Sequence, residues 1–258
     1  MTQIVSVHSF RGGTGKSNVT SNLATTLAIQ GFRVGIVDTD IQSPGIHVLF
    51  GMEEEKISYT LNDYLVGSCP FLPDASYDVS SIFKTDSAKA PAEGGSLHLV
   101  PSSIRASEIT KILRDGYDPE LLNGGFRQLI RQLELDYLFI DTHPGINEET
   151  LLSVAISDVL VIILRPDRQD YQGTAVTVDV ARELQVPNMM LVVNKALSSF
   201  DFPTLKDQVQ TTYNVPVAGV LPLSEEMIFL ASSDIFCVRY PDHEWTQEIQ
   251  KIAKQVIG

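Results

Sequence analysis

The chain has 258 residues, of which 43% are hydrophobic and 20% are charged, and this composition excludes gross disorder. Acidic residues outnumber basic ones 32 to 19, so the net charge of −13 disfavours phosphate backbones and anionic lipids as partners unless a local basic patch overrides it. The apolar runs are far shorter than the roughly 20 residues of a membrane span, and the first residues lack a signal-peptide pattern, so we expect a reduced, cytoplasmic protein.

Short β-branched runs alternate with longer helical stretches, which is the pattern of βαβ units around a parallel sheet. The predicted strands are mostly continuous apolar runs, as expected when helices cover both faces of a sheet. They are Ile4–His8, Val34–Asp38, Leu97–Val100, Tyr137–Asp141, Val159–Leu164, Met189–Val193 and Val217–Leu221. The predicted helices are Lys16–Gln30, Glu120–Leu135, Glu148–Ser157, Gly173–Leu184, Phe202–Tyr213 and Trp245–Val256. The fold class is therefore α/β, a three-layer, mostly parallel twisted sheet flanked by helices.

The stretch from Glu53 to Gly95 interrupts this alternation. Its proline, glycine and serine content, in SCPFLPD and KTDSAKAPAEGG, predicts loops at the rim of the domain. Neither an internal repeat nor a linker divides the chain, so we expect a single nucleotide-binding domain over residues 1–258, with 53–95 as an irregular rim segment.

A glycine-rich loop joins the first predicted strand to the first predicted helix. Glycines let backbone N–H groups approach an anion and the helix N-terminus adds its positive end, so this order predicts a phosphate cradle rather than an ordinary turn. We expect Lys16 to reach the β- and γ-phosphates and the Ser17 hydroxyl to ligate Mg²⁺. The nucleotide-binding residues expected here are Gly12, Gly13, Thr14, Gly15, Lys16, Ser17 and Asn18.

The common form of this motif has a glycine where the chain has Phe10, and the loop instead fits x-[KR]-G-G-x-G-K-[ST]. This resembles the deviant Walker A motif of the ParA/MinD superfamily of P-loop ATPases, relatives of the nitrogenase iron protein and the bacterial tyrosine kinases. In that family a lysine before the paired glycines reaches across a dimer interface to the partner's nucleotide. The resemblance gives this catalytic role to Arg11, whose guanidinium keeps the charge; a solvated or ion-paired loop residue is the alternative.

An Asp-x-Asp pattern follows the second predicted strand, where carboxylates adjoin the ligand crevice of a parallel sheet. The alternation points the side chains of Asp38 and Asp40 the same way if the strand continues. The pattern resembles the family's switch I, which implies that Asp40 positions the hydrolytic water and that Asp38 supports the metal shell. Two solvated turn aspartates are the alternative.

The fourth predicted strand ends at Asp141, and an apolar strand ending in aspartate predicts Mg²⁺ held through water. The run from Asp141 to Gly145 resembles the family's switch II, a loop that senses the γ-phosphate. For His143 in this loop, a structural or surface role is favoured over a catalytic one. The expected metal-shell residues are Ser17, Asp38 and Asp141.

Two later positions complete the resemblance, which covers nearly the whole chain and is weakest over 53–95. It implies that Asn194, followed by Lys195, hydrogen-bonds the adenine edge, and that Pro222 lies in the loop beside the base. The expected cofactors are therefore ATP or ADP and Mg²⁺.

The superfamily hosts several functions, and three branches are disfavoured by the residues. The single cysteines Cys69 and Cys237 offer neither a disulfide framework nor the pair that iron–sulfur members need. The stretch from Arg239 to Gly258 has as many acidic as basic residues, which favours core packing over a membrane-targeting helix. The arginines and lysine that could form a DNA-binding cluster are interleaved with acidic residues; they are Arg105, Lys111, Arg114, Arg127 and Arg131.

We therefore expect an ATPase that forms a homodimer in the ATP state and acts on an unidentified protein activator or cargo, with DNA and membrane disfavoured. Slow, partner-stimulated hydrolysis is expected if a partner must order the catalytic loops. One alternative is an ATP-binding scaffold with little hydrolysis. The other is a tyrosine-kinase-like member: Pro44, His47 and the run Leu49–Gly51 resemble the second acidic motif of those kinases, but only Tyr240 stands in place of their terminal tyrosine cluster.

Overall fold

Eight strands form one sheet in the computed structural model, which describes residues 2–84 and 92–258. Along the sheet the strand order is β3-β4-β2-β5-β1-β6-β7-β8, and all neighbours are parallel except β3 and β4. The strands are β1 (Gln3–His8), β2 (Arg33–Asp38), β3 (Tyr77–Asp78), β4 (Ser96–Val100), β5 (Tyr137–Asp141), β6 (Val159–Leu164), β7 (Asn188–Ala196) and β8 (Val217–Pro222). The predicted α/β class and all seven predicted strands are confirmed; β3 was not predicted.

The helices flank this sheet on both faces, and the six predicted ones are all present. They are α1 (Lys16–Ile29), α2 (Ile46–Leu49), α3 (Leu61–Leu65), α4 (Ala106–Asp115), α5 (Pro119–Gln132), α6 (Glu148–Ala155), α7 (Arg168–Glu183), α8 (Phe202–Tyr213), α9 (Glu225–Leu230), α10 (Phe236–Arg239) and α11 (Glu244–Ile257). Helix α7 begins at Arg168 rather than Gly173, because the Asp167 carboxylate caps the N–H groups of Gln169 and Asp170. Helices α2, α3, α4, α9 and α10 were not predicted.

Both faces of the sheet are covered, which explains the continuous apolar strands. In β6, Val161 packs into the cluster under α1 and α11, while the next residue, Ile162, packs into the cluster under α7 and α8. Helix α11 buries Ile249 and Ile252 in the first of these clusters, so core packing of this stretch is confirmed. Within the described parts of the chain, no helix is both long enough and apolar enough to cross a bilayer.

The predicted rim segment 53–95 contributes to the core. Leu61 of α3 and Leu72 are fully buried and pack with Phe126 of α5. Short 3-10 turns at Glu54–Lys56, Leu72–Ala75 and Ser80–Lys84 complete the segment. Residues 85–91, which make up most of the predicted loop KTDSAKAPAEGG, lie outside the described residues.

Strand register brings the predicted loops together at one edge of the sheet. Asp141, the last residue of β5, is paired in register with Val7 of β1 and with Asp38, the last residue of β2. The loops that follow β1, β2 and β5 therefore start side by side.

Candidate functional site

The loop between β1 and α1 depends on glycine at two positions. Gly13 and Gly15 have φ angles of 77° and 93°, a region that other residues rarely adopt. A Cβ on Gly15 would also lie 2.4 Å from Asn194 Nδ2. Gly15 is the N-cap of α1, and the first turn of that helix has no acidic side chain to occupy its free N–H groups. This backbone is suited to an anion.

Behind the loop, Lys16 and Ser17 converge on one buried carboxylate. Lys16 Nζ lies 3.1 Å from Asp141 Oδ1, and both side chains are buried. Ser17 Oγ donates to Asp141 Oδ2 at 2.6 Å. Three of the predicted site residues therefore form a single buried cluster, joined by Thr20 Oγ1 at 2.9 Å from Asp141 Oδ1.

These residues fit a nucleotide with its magnesium ion. The Thr14 hydroxyl is buried in the loop with no hydrogen-bond partner among the described residues, so it is available to a ligand. In the described part of the chain, no three His, Cys, Asp or Glu side chains form a metal site by themselves. Mg²⁺ is commonly held by one or two carboxylates together with substrate phosphates. Asp38 and Asp141 offer two carboxyl groups for this purpose, and Ser17 offers a hydroxyl.

Asp38 is fully buried at the end of β2. Burial, together with the neighbouring Asp141, raises the pKa of Asp38 to about 8. Its carboxylate accepts from the backbone N–H of Asp40 at 3.0 Å and from that of Gly45 at 3.3 Å. The strand ends at Asp38, so the condition for alternation of Asp38 and Asp40 is not met, and the turn that follows the strand places Asp40.

Asp40 is buried beside the switch II loop. Its Oδ1 atom accepts from Ser43 N–H at 3.1 Å and lies 3.8 Å from His143 Nε2. Burial raises the pKa of Asp40, while Lys16 and His143 act in the opposite direction. The contact between Asp40 and His143 links the two acidic loops, and the sequence did not predict it.

The raised pKa of Asp38 has a consequence for stability. Between its ordinary value of 3.8 and about 8, the folded protein keeps a proton that the unfolded chain releases. The free energy of unfolding therefore falls as pH rises through this window, by up to about 1.4 kcal/mol per pH unit from this group. We expect Asp38→Asn to remove this contribution to the pH dependence of the free energy of unfolding, measured in the protein without nucleotide.

Urea unfolding at pH 5, 6.5 and 8, in the absence of Mg²⁺, measures this effect. The exposed Asp207 on α8 supplies a matched control, Asp207→Asn, which should keep the wild-type slope. If Asp38→Asn and wild type lose stability equally between pH 5 and 8, Asp38 is ionised in the folded protein and the expectation is wrong.

Arg11 lies at the rim of the loop, where it is ion-paired within its own chain. Its Nη1 atom is 3.4 Å from Asp170 Oδ1 and 3.9 Å from Asp167 Oδ1 at the start of α7. Asp170 is buried and also accepts from Arg165, at 3.0 Å and 3.1 Å. The sequence did not predict this anchor, since Arg11 and Asp170 are 159 residues apart. A role for Arg11 in a partner's site stays a prediction.

A cavity of about 350 Å³ adjoins the loop on the side of β7 and β8, and its volume is typical of a small-molecule site. Its lining includes Asn18, Asn194 and Pro222, all predicted nucleotide contacts, and also Lys195 and Trp245. Asn194 Nδ2 donates to the Thr14 carbonyl at 2.8 Å, and Lys195 Nζ donates to the Gly13 carbonyl at 2.8 Å. Asn194 and Lys195 thus brace the phosphate loop; the adenine contact of Asn194 stays a prediction.

Other predicted features lie away from this site. Cys69 and Cys237 are free and buried in different core clusters, and burial raises the pKa of the Cys237 thiol to about 12. In the candidate basic cluster, Arg105 pairs with Glu54 and Glu108, and Arg114 pairs with Asp115. These pairs match the mixed-charge interpretation.

Comparisons with known proteins agree with this geometry. The family model described as the CobQ/CobB/MinD/ParA nucleotide binding domain matches residues 5–235. An uncharacterized ATP-binding protein of Methanocaldococcus jannaschii is 26% identical over 255 residues, 98% of this chain and 87% of that protein. The cytosolic Fe–S cluster assembly factor CFD1 of Kluyveromyces lactis is 27% identical over 248 residues, 88% of this chain and 78% of that protein.

Among solved structures, the septum site-determining protein MinD of Pyrococcus horikoshii, complexed with Mg-ADP, has a similar fold. The TM-score is 0.77, and the match covers 99% of this chain and 96% of that one at 22% sequence identity. At this identity the likeness concerns the fold alone.

Proposed function

Because the chain belongs to the CobQ/CobB/MinD/ParA nucleotide-binding family, whose MinD and ParA members are ATPases, we propose that it is a Mg²⁺-dependent ATPase acting as a nucleotide-controlled dimerisation switch. ATP-bound copies form a homodimer, and hydrolysis resets the contact with a protein partner. The observation that carries this proposal is the convergence of Lys16, Ser17, Asp40 and Asp141 behind one glycine-rich loop.

Each side chain has a role that its position supports. The loop N–H groups and Lys16 bind the phosphates. Ser17, Asp141 and the deprotonated form of Asp38 would hold Mg²⁺, which would neutralise phosphate charge. Asp40, buried beside His143, orients the attacking water. If Asp141 held the ion, Lys16, which lies 3.1 Å from Asp141 Oδ1, would be left free to contact the phosphates.

Arg11 is the residue that makes the switch depend on two copies. It is 39% exposed, and its distances to Asp167 and Asp170 are long for ion pairs, so these contacts hold it weakly. In the ATP dimer, Arg11 leaves these carboxylates and binds the partner's nucleotide phosphates.

The partner is a protein rather than DNA or an anionic membrane, because the net charge is −13 and two of the five residues of the candidate basic cluster, Arg105 and Arg114, are paired with acidic neighbours. Some relatives are named as Fe–S cluster assembly factors. We do not propose that this chain binds an Fe–S cluster, because its two cysteines are buried in separate parts of the hydrophobic core. An ATP-binding scaffold with little hydrolysis is the competing function.

Size-exclusion chromatography with light scattering tests the switch. We expect a monomer with ADP and a dimer with a non-hydrolysable ATP analogue, and we expect Arg11→Ala to weaken the analogue-bound dimer at least ten-fold while nucleotide still binds. Arg105→Ala, at an exposed arginine that pairs with Glu108, is the matched control and should dimerise as wild type does. A protein that is monomeric with ADP, ATP and the analogue would contradict the proposal.

A further inference from the structure

Helix α9 presents two large apolar side chains to solvent. Ile228 is 64% exposed and Phe229 is 80% exposed, whereas Met227 and Leu230 of the same helix pack against the core. Glu225 lies three and four residues before the exposed pair and so shares their face. The helix is therefore anchored by one face and leaves its other apolar face without a partner in the described chain.

Neighbouring loops extend this surface. Leu223 and Leu197 are both exposed and lie side by side, because Leu223 N–H donates to the Ala196 carbonyl at 2.8 Å. Phe200 is exposed in the turn that its N–H closes on the Leu197 carbonyl. We call the five side chains the α9 patch: Leu197, Phe200, Leu223, Ile228 and Phe229. Leu223 and Ile228 line one cavity, which brings these loops beside the helix. Single exposed apolar residues are ordinary, but a group of them marks an interaction site.

The α9 patch shares residues with the cavity beside the phosphate loop. Leu223 and Ile228 line both, and Ala231 and Ser232, which directly follow α9, also line the cavity. Ala231 and Ser232 have φ angles of 48° and 61°, a left-handed conformation that is uncommon for these residue types. A ligand in the cavity therefore touches the helix that carries the patch, on its strained end.

Charge decides which occupant fits the α9 patch. Glu225 and Glu226 lie on the helix itself, and Asp201 follows Phe200 directly. An anionic membrane is repelled by these carboxylates, and a second copy related by a two-fold axis would set the same acidic face against itself. A protein segment with large apolar side chains next to lysine or arginine would bury the apolar side chains of the patch and form ion pairs with the carboxylates.

We propose that the α9 patch docks a cationic, apolar segment of a protein partner, and that nucleotide in the adjoining cavity controls this docking. The nucleotide dependence rests on the proposed ATP switch, whereas the docking surface itself does not. Phe229 is the anchor, because it is the most exposed of the five and lines no part of the cavity.

The test uses a defined probe, a fluorescently labelled amphipathic peptide of alternating leucine and lysine blocks, with a leucine–glutamate peptide of the same pattern for comparison. Fluorescence anisotropy measures binding to the full chain without nucleotide, with ADP and with the ATP analogue. We expect Phe229→Ser to weaken binding of the lysine peptide at least ten-fold, and Glu225→Gln to weaken it several-fold. Leu113→Ser, at an exposed apolar residue on α4, is the matched control and should bind as wild type does.

The outcomes separate this proposal from the switch. Equal binding by wild type and Phe229→Ser, or equal binding of both peptides, overturns the docking surface even if the ATP dimer forms. If peptide binding depends on Phe229 but is equal with and without nucleotide, and the protein never dimerises, then the docking surface is supported and the switch is wrong. Loss of dimer in Phe229→Ser identifies a second copy as the occupant, and Phe229-dependent binding to phosphatidylglycerol vesicles identifies a membrane; either result overturns the proposal.

Discussion

Lys16→Ala is expected to abolish nucleotide binding and to destabilise the folded protein. The substitution removes the cation that we propose binds the phosphates, which should raise the dissociation constant for ATP at least 100-fold, equivalent to about 2.7 kcal/mol. It also leaves Asp141, buried 3.1 Å from the lysine, without its charged partner. Loss of one member of a buried pair typically costs about 3–5 kcal/mol.

Titration with a fluorescent ATP derivative measures the first effect, and urea unfolding without nucleotide measures the second. Lys16→Met separates them further, since it keeps the buried aliphatic stem but not the charge. The exposed Lys111 on α4 provides a control, Lys111→Ala, for which both quantities should be unchanged. A Lys16→Ala protein that binds ATP normally would contradict the switch and the scaffold alike.

Asp40→Asn is expected to stop hydrolysis while preserving nucleotide binding. Asparagine keeps the size of the side chain and can still accept from the Ser43 N–H, but it cannot accept a proton or orient water as a carboxylate does. Loss of a group that assists proton transfer lowers turnover by about 100- to 10,000-fold. If the switch operates, the variant should accumulate as an ATP-bound dimer.

Phosphate release under single-turnover conditions, with dimer content measured in parallel, checks this expectation. Asp179→Asn, at an exposed carboxylate on α7, controls for the loss of one negative charge. If partner recruitment and release persist in Asp40→Asn while phosphate release disappears, the hydrolytic cycle is wrong and the scaffold function is correct.

The sequence predicts the parts of the fold that are encoded locally. Buried strands such as β6 appear as unbroken apolar runs, and the glycine-rich loop lies at a strand-to-helix junction that fixes its position. Helix α4 was not predicted, although the helical spacing of Ile109, Ile112 and Leu113 indicates a helix there. The six-residue helix α9 is too short for periodicity to distinguish it from a loop.

The details of the site depend on contacts that no local pattern encodes. The anchor of Arg11 on Asp170 joins the loop after β1 to the start of α7. The raised pKa of Asp38 depends on complete burial and on the register that sets this residue beside Asp141, neither of which a single strand reveals. The hydrogen bond from Asn194 Nδ2 to the Thr14 carbonyl was not predicted either, because it depends on β7 passing close to the phosphate loop.

The pairing of β1 with β5 also determines when this part of the sheet can form during synthesis of the chain. Hydrogen-bonded residues of this region, His8 and Thr142, are 134 positions apart in the chain. At a synthesis rate of about 5–20 residues per second, the first strand waits roughly 7–27 seconds for its neighbour to be translated. Until then the N–H and C=O groups along this edge of the first strand lack the partner strand that they pair with in the folded protein.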